Sequence, residues 1–293
     1  MSQRPEDLRA RAHLHATLGE PGSGRLRYAA AMHFQRRGQL SPEVLEVYRV
    51  CSADDSEDPA PLLAARGLSV DLPCPDAPPV VLAHLRDEID RYLGTHFGPG
   101  IAETRALIAA WREMAGSLPP GRTNPVVDAW MEAALAELAP AMPSLAAAIG
   151  AAVPHLDWIT YDLYPPDEIG PAFARGHAFA TLVGEGAPFP AEEFDLGIFI
   201  VAPDVLYRDH HHPAPELYAP LTGPHGWRFG GAGPLTIKAA HVPVWNDPGT
   251  VHLTKVGPSP FLSLFAWTQD VTLPAQVFPA QDWAELEALR IET

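Results

Sequence analysis

His210-His211-His212-Pro213-Ala214-Pro215-Glu216-Leu217-Tyr218-Ala219-Pro220-Leu221-Thr222-Gly223 decides how this chain is read. The run contains His210-x-His212-x-x-x-Glu216, with Gly223 closing it. Two imidazoles and a carboxylate at this spacing suit a divalent transition metal. Further on, Asp247-Pro248-Gly249-Thr250-Val251-His252 offers a third histidine. Three histidines and one carboxylate fill four positions around an ion and leave room for substrate or water. Side chains alternate across a strand, so His210 and His212 face one way and His211 the other. Pro213-Ala214-Pro215 breaks that strand. Glu216-Leu217-Tyr218-Ala219 alternates again, which puts the Tyr218 phenol on the face of Glu216. A histidine-rich surface loop would explain the triplet, but not Glu216, Gly223 and the later Gly-x-x-His together.

Outward from this run the hydrophobic period divides the chain. From Ile159 on, short strands follow one another: Thr160–Tyr164, His177–Val183, Leu196–Ala202, Leu206–His212, Glu216–Leu221, Gly226–Phe229, Leu235–Ala240, Val251–Val256 and Phe261–Thr268. Gly and Pro punctuate the gaps, the pattern of a sandwich or barrel. Ala280–Leu289 reads as a short closing helix. Residues 1–154 read as helical. Asp7–Leu18 is amphipathic and Tyr28–Phe34 is a second helical patch. Ser41-Pro42 is a cap followed by a helix-starting proline. Val81, Leu85, Ile89 and Leu93 form a stripe. Ile101–Met114 and a segment opening at Asn124-Pro125 complete the series, and 52–79 reads mostly as loop. The expectation is a helical region over 1–154 and a β-barrel domain over 155–293, α+β overall. The helical region could cover the barrel mouth, pack on its outside or pair two copies in a homodimer.

Composition excludes some partners. The 293 residues carry 20 Lys and Arg against 36 Asp and Glu, a formal charge of −16. No basic stripe is available for a phosphate backbone, so no nucleic acid is expected. No apolar run is long enough to span a bilayer, and Met1–Asp7 lacks the apolar core of a signal peptide. Cys51 and Cys74 are the only cysteines, which reads as buried thiols in a reducing cytoplasm.

The His-x-His-x-x-x-Glu spacing resembles the first cupin motif, and His252 resembles the ligand of the second. The second motif departs from its pattern, Pro-x-Gly-x-x-His, because Pro248 stands one place late. Cupins are double-stranded β-barrels, in keeping with the strand reading. A narrower resemblance, over roughly 155–270, is to the cupin-type dimethylsulfoniopropionate (DMSP) lyases. It is carried by Glu216-Leu217-Tyr218, Gly223, Trp227, the upstream Tyr164-Pro165-Pro166-Asp167-Glu168-Ile169-Gly170-Pro171 and the Phe261–Trp267 strand. The resemblance implies one divalent transition metal ion (Zn, Fe, Mn or Ni) on His210, His212, Glu216 and His252. It also implies catalysis by Tyr218 and cleavage of DMSP to acrylate and dimethyl sulfide.

The chemistry can be argued separately. A metal-bound substrate carboxylate has its charge drawn off, which stabilises the enediolate-like charge that develops as an α-proton leaves. Tyr218, two residues from a ligand and on its face, is the candidate base. Tyr164 is a second acid/base or orienting candidate. A cationic substrate end should prefer aromatic rings, for which Trp227, Trp267 and Tyr207 are candidates, along with Phe229 and Trp245. Arg175 could bind a carboxylate. Asp209 reads as a partner behind the metal ligands or as a surface charge, and His225 as solvent-exposed. The alternatives are a cupin Fe(II) dioxygenase, a lyase or isomerase acting on another small carboxylate, and a binding module with a structural metal.

Overall fold

The computed structural model describes residues 5–70 and 77–292, so Met1–Arg4 and Cys74 lie outside the described residues. The chain divides into two compact units, Met1–Ala77 and Pro78–Thr293. The first holds α1 (Pro5–Leu14), α2 (Ser23–Arg36), α3 (Pro42–Cys51) and α4 (Pro59–Ala65) around Ala31, Phe34, Val47 and the free thiol of Cys51. Ser41 caps α3 by accepting from the Val44 N–H at 3.3 Å, with Pro42 in the first turn. Helix α4 corrects the loop expected over 52–79. Its start, Asp58-Pro59, uses the same device, with Asp58 accepting from the Ala60 N–H at 2.9 Å. The surrounding Pro, Asp and Ala obscured it.

The second unit begins with α5 (Pro78–Leu93), α6 (Ile101–Ala110), α7 (Pro125–Leu138) and α8 (Pro143–Ala152). Asn124 caps α7 through the Val126 N–H at 2.9 Å. Two short helices, α9 (Pro166–Ile169) and α10 (Pro171–Gly176), lead into the strands. These are β1 (His177–Gly184), β2 (Phe189–Pro190), β3 (Asp195–Val201), β4 (Leu206–His211), β5 (Glu216–Pro220), β6 (His225–Phe229), β7 (Thr236–Lys238), β8 (Val244–Asn246), β9 (His252–Lys255), β10 (Phe261–Trp267) and β11 (Gln276–Val277). Helix α11 (Trp283–Ala288) ends the series. One sheet has six strands in the order β2-β1-β3-β10-β5-β8, and the other five in the order β11-β4-β9-β6-β7.

Alternation along the strands explains how the sheets are covered. Leu196, Ile198 and Ile200 of β3, Leu217 and Ala219 of β5, and Leu262 and Leu264 of β10 point outward. There they share one core with Leu82, Leu85, Ile89, Leu135 and Ile149 of the helices. Helices α5, α7 and α8 therefore pack on the outer face of the six-stranded sheet, and the boundary expected at 154/155 falls inside the second unit. The residues between, Phe199, Tyr218 and Phe261, point inward and meet Tyr207 and Trp227 of the facing sheet.

The strand expected at Thr160–Tyr164 is absent: isolated bridges join Asp157 to Arg122 and Ile159 to Phe179 before Pro165-Pro166 turns the chain into α9. No helix among the described residues is long and apolar enough to cross a membrane.

Candidate metal centre and its cavity

Strands β4 and β9 set His210 directly opposite His252, and the two rings lie 4.1 Å apart between centroids. His212 follows the end of β4, while His211 is only half-buried. The turn that delivers His252 is fastened to the same segment. Gly249 adopts φ +73°, a conformation glycine takes without strain, and donates its N–H to the His212 carbonyl at 2.8 Å. The late proline thus does not prevent the turn from bringing His252 to the others.

All three imidazoles are oriented the same way. Nδ1 of His210, His212 and His252 each lies 2.8 Å from a backbone carbonyl, of Arg208, Ala214 and Thr250 respectively. A carbonyl can only accept, so Nδ1 carries the hydrogen in each ring and donates it. One ligand atom of each histidine then lies within 4.8 Å of the others, in a buried group. Among the described residues, Nε2 of His210 and of His252 has no hydrogen-bond partner.

Glu216 joins this group from the opposite sheet. Its Oε2 lies 3.2 Å from His212 Nε2 and 3.3 Å from His252 Nε2. Rings that already donate through Nδ1 would turn lone pairs toward that carboxylate, so a positive charge is required between them, either a proton or a metal ion. Burial pulls His212 down, but the Glu216 charge and hydrogen bond outweigh it and its pKa is raised. Burial would raise Glu216, yet its contacts with His212 and His252 hold the carboxyl well below the usual range. His210 is held well below the ordinary histidine range by burial, then by His252 and His212. The donor set fits a divalent transition metal, with the histidines as its nitrogen ligands.

Two side chains fix the carboxylate. Register places Glu216 opposite Trp267 of β10 on one side and Asn246 of β8 on the other. Trp267 Nε1 donates to Oε1 at 2.8 Å, and Asn246 Nδ2 donates to Oε2 at 2.9 Å. Asn246 was missed in the sequence because β8 has three residues, too few to show a period.

The centre opens on a cavity of about 160 Å³ lined by His212, Glu216, Tyr218, Tyr164, Tyr207 and Trp267, among others. Tyr207 and His210 both point inward although three residues apart, because a bulge shifts the β4–β9 register between them. Tyr207 is stacked between Phe173 at 3.9 Å and His210 at 3.8 Å, so its faces are covered, while its hydroxyl pairs with that of Tyr164 at 2.7 Å. Burial pushes the phenols of Tyr164, Tyr207 and Tyr218 well above the usual range, and the Glu216 charge adds to it in each.

Other candidates lie elsewhere. Trp227 is fully buried against Tyr218 and Phe261 and does not line the cavity. Phe229 is 40% exposed, and Trp245 packs against the helix-covered core. Arg175 is exposed on α10, and no lysine or arginine lines the cavity among the described residues. His225, expected at the surface, is buried: its Nδ1 accepts from the Gly257 N–H at 3.1 Å. Asp209 is buried in an ion pair with Arg228 and accepts from Trp283 Nε1 at 2.8 Å. It anchors α11 to the five-stranded sheet.

Two facing sheets with a three-histidine group between them define the class: the second unit is a cupin barrel carrying a candidate metal centre. Comparison with known proteins takes this further. The dimethylsulfoniopropionate lyase family model matches residues 102–263, more than half of the chain, and the chain belongs to that family. A curated relative from Cereibacter sphaeroides, named "Putative dimethylsulfoniopropionate lyase DddL", is 32% identical over 110 residues, 36% of this chain and 44% of the relative. The chain thus matches less than half the length of that relative. Among solved structures, a chain from "Crystal structures of DMSP lyases RdDddP and RnDddQII" is similar with a TM-score of 0.52 and 18% identity, over 69% of this chain and 100% of that one. The DMSP lyase DddQ from Ruegeria pomeroyi is similar at a TM-score of 0.48 and 22% identity, over 67% and 95%.

Proposed function

We propose that this chain is a metal-dependent lyase that splits DMSP into acrylate and dimethyl sulfide by β-elimination. The observation that carries the reading is a convergence: His212 of the buried histidine group, Glu216 and Tyr218 line one small cavity. His210, His212, Glu216 and His252 would hold one divalent ion (zinc, iron, manganese and nickel all accept such donors). Bound there, the ion would act as a Lewis acid toward the substrate carboxylate, and among the described residues no lysine or arginine lines the cavity to take that role.

Tyr218 takes the α-proton. The electrons of that C–H bond form the new C=C bond. The bond from the β-carbon to sulfur breaks, and sulfur leaves with the electron pair as neutral dimethyl sulfide. As a buried phenol beside a carboxylate, Tyr218 holds its proton tightly, and positive charge at the histidine group shifts it toward the phenolate. The Tyr164–Tyr207 hydroxyl pair stands in the same cavity and orients the substrate. Phe179, Phe265 and Trp267 exclude water from the leaving sulfur.

The test is dimethyl sulfide release by protein stripped with a chelator and by the same protein reloaded with each metal, with and without oxygen. Release that returns with metal and ignores oxygen supports the reading. Release that needs oxygen would support the dioxygenase alternative, and equal release from stripped protein would remove the metal.

A further inference from the structure

Four adjacent strands place a row of inward-facing residues side by side. Asp195 of β3 is opposite Trp267 of β10, Trp267 is opposite Glu216 of β5, and Glu216 is opposite Asn246 of β8. Asp195 starts the inward set of β3, since Leu196, Ile198 and Ile200 belong to the outer core. Asp195 lines the same cavity as Glu216, together with Phe179, Phe265 and Trp267. The wall therefore has a carboxylate at either end and aromatic rings between.

The two carboxylates differ. Glu216 is held by Trp267 and Asn246 and lies against two histidines. No hydrogen bond or ion pair to the Asp195 carboxylate occurs among the described residues, and the charge that acts on it, Glu185, is of like sign. Burial and then that charge push its carboxyl up to about 6. The space it occupies is kept open by Gly184, where a Cβ would stand 2.1 Å from Asp195 Oδ1. Gly197 has the same effect for Phe265, whose ring would lie 2.6 Å from an added Cβ.

The structure assigns Asp195 as the counter-charge for the positive end of a short zwitterionic substrate, and so as a residue that determines specificity. The proposal rests on the lyase reading for the other end of that substrate. Neighbouring strands lie about 4.8 Å apart, so the two spacings from β3 across β10 to β5 separate Asp195 from Glu216 by roughly 10 Å of backbone. That span leaves room for a carboxylate beside the histidine group at one end, a spacer of two methylenes, and a cation seated between Asp195 and the rings of Phe265 and Trp267. A sulfonium or quaternary ammonium is apolar at its surface and cationic at its centre, which suits a wall of rings backed by one carboxylate. A neutral thioether would leave that carboxylate unpaired.

The test is calorimetric and needs no turnover. Metal-loaded wild type, Asp195→Asn and Asp195→Glu are titrated with β-alanine betaine and with methylthiopropionate, two carboxylates whose far ends are cationic and uncharged respectively. Wild type should bind the betaine about tenfold more tightly, the scale of a partly desolvated charge contact. Asp195→Asn should abolish that preference and leave the thioether affinity in place, while Asp195→Glu, which keeps the charge, should retain it. A preference unchanged in Asp195→Asn, or absent in wild type, would overturn the assignment. A preference that depends on Asp195 in a protein that releases no dimethyl sulfide from DMSP would keep the assignment and remove the elimination.

Discussion

Glu216 and Trp267 are cross-strand partners on β5 and β10, and the indole N–H donates to the carboxylate at 2.8 Å while the ring lies over His212 at 4.4 Å. One side chain thus orients a carboxylate next to the histidine group and covers one of its imidazoles. Groups that fix metal ligands from behind typically change metal affinity by about 10–100-fold when removed. Trp267→Phe, which keeps a ring and removes the donor, should weaken metal binding within that range. Asn246→Leu should do the same from the opposite side. Competition with a chromogenic chelator measures both, and unchanged affinity in both would show that Glu216 is not a ligand.

The histidines carry a sharper expectation. His212→Ala and His252→Ala should each lose bound metal, while His211→Ala, altering the half-buried neighbour, should keep it. Metal content by elemental analysis after dialysis decides this. Full occupancy in both of the first two variants would overturn the assignment.

Tyr164 and Tyr207 share one hydroxyl pair in a buried setting. Removing either hydroxyl leaves the other without its partner, at a cost of about 1–3 kcal/mol. Removing both takes away the pair together, so the double variant Tyr164→Phe/Tyr207→Phe should be less destabilised than the sum of the singles. Chemical denaturation of the four proteins gives the coupling. Strict additivity would mean that the hydroxyls do not depend on each other.

Acid should unfold the second unit through two buried neutral histidines. His177 donates from Nδ1 to the Phe173 carbonyl and accepts the Tyr161 N–H on Nε2, and burial lowers its pKa to about 4. Burial lowers His225 to about 4 as well. The folded form resists protonation while the unfolded chain takes up a proton near pH 6.5. Stability from these groups is therefore complete above about pH 6.5 and is lost as pH falls toward 4, by at most about 3 kcal/mol each. His225→Gln keeps an acceptor for the Gly257 N–H and should flatten this limb. An unchanged pH slope in that variant would count against the account.

Much of the architecture was legible because it rests on periods and punctuation. Cap-then-proline pairs at Ser41-Pro42 and Asn124-Pro125 mark helix starts, and strand alternation placed His210, His212, Glu216 and Tyr218 on inward faces. What escaped depends on pairing between distant segments. Asn246 sits on a strand of three residues and acquires its role only from lying opposite Glu216. Asp195 begins a strand whose outward residues are all apolar, and only the register with Trp267 shows which way it faces. Trp227 and Arg175 had suitable chemistry and unsuitable positions: one is sealed in the inter-sheet core and the other is on the surface of α10. The helical region gave no sign of where it packs, because an apolar stripe such as Val81-Leu85-Ile89 says that a face is buried and not against what.

The most direct test supplies DMSP to metal-loaded wild type and metal-loaded Tyr218→Phe and measures dimethyl sulfide and acrylate together. The account predicts equal molar amounts of the two products from wild type, and a loss of at least about 100-fold in Tyr218→Phe, the lower scale of general acid–base catalysis, with its metal content unchanged. Undiminished release by a metal-replete Tyr218→Phe would contradict the assigned base, and no release from metal-replete wild type would contradict the elimination itself.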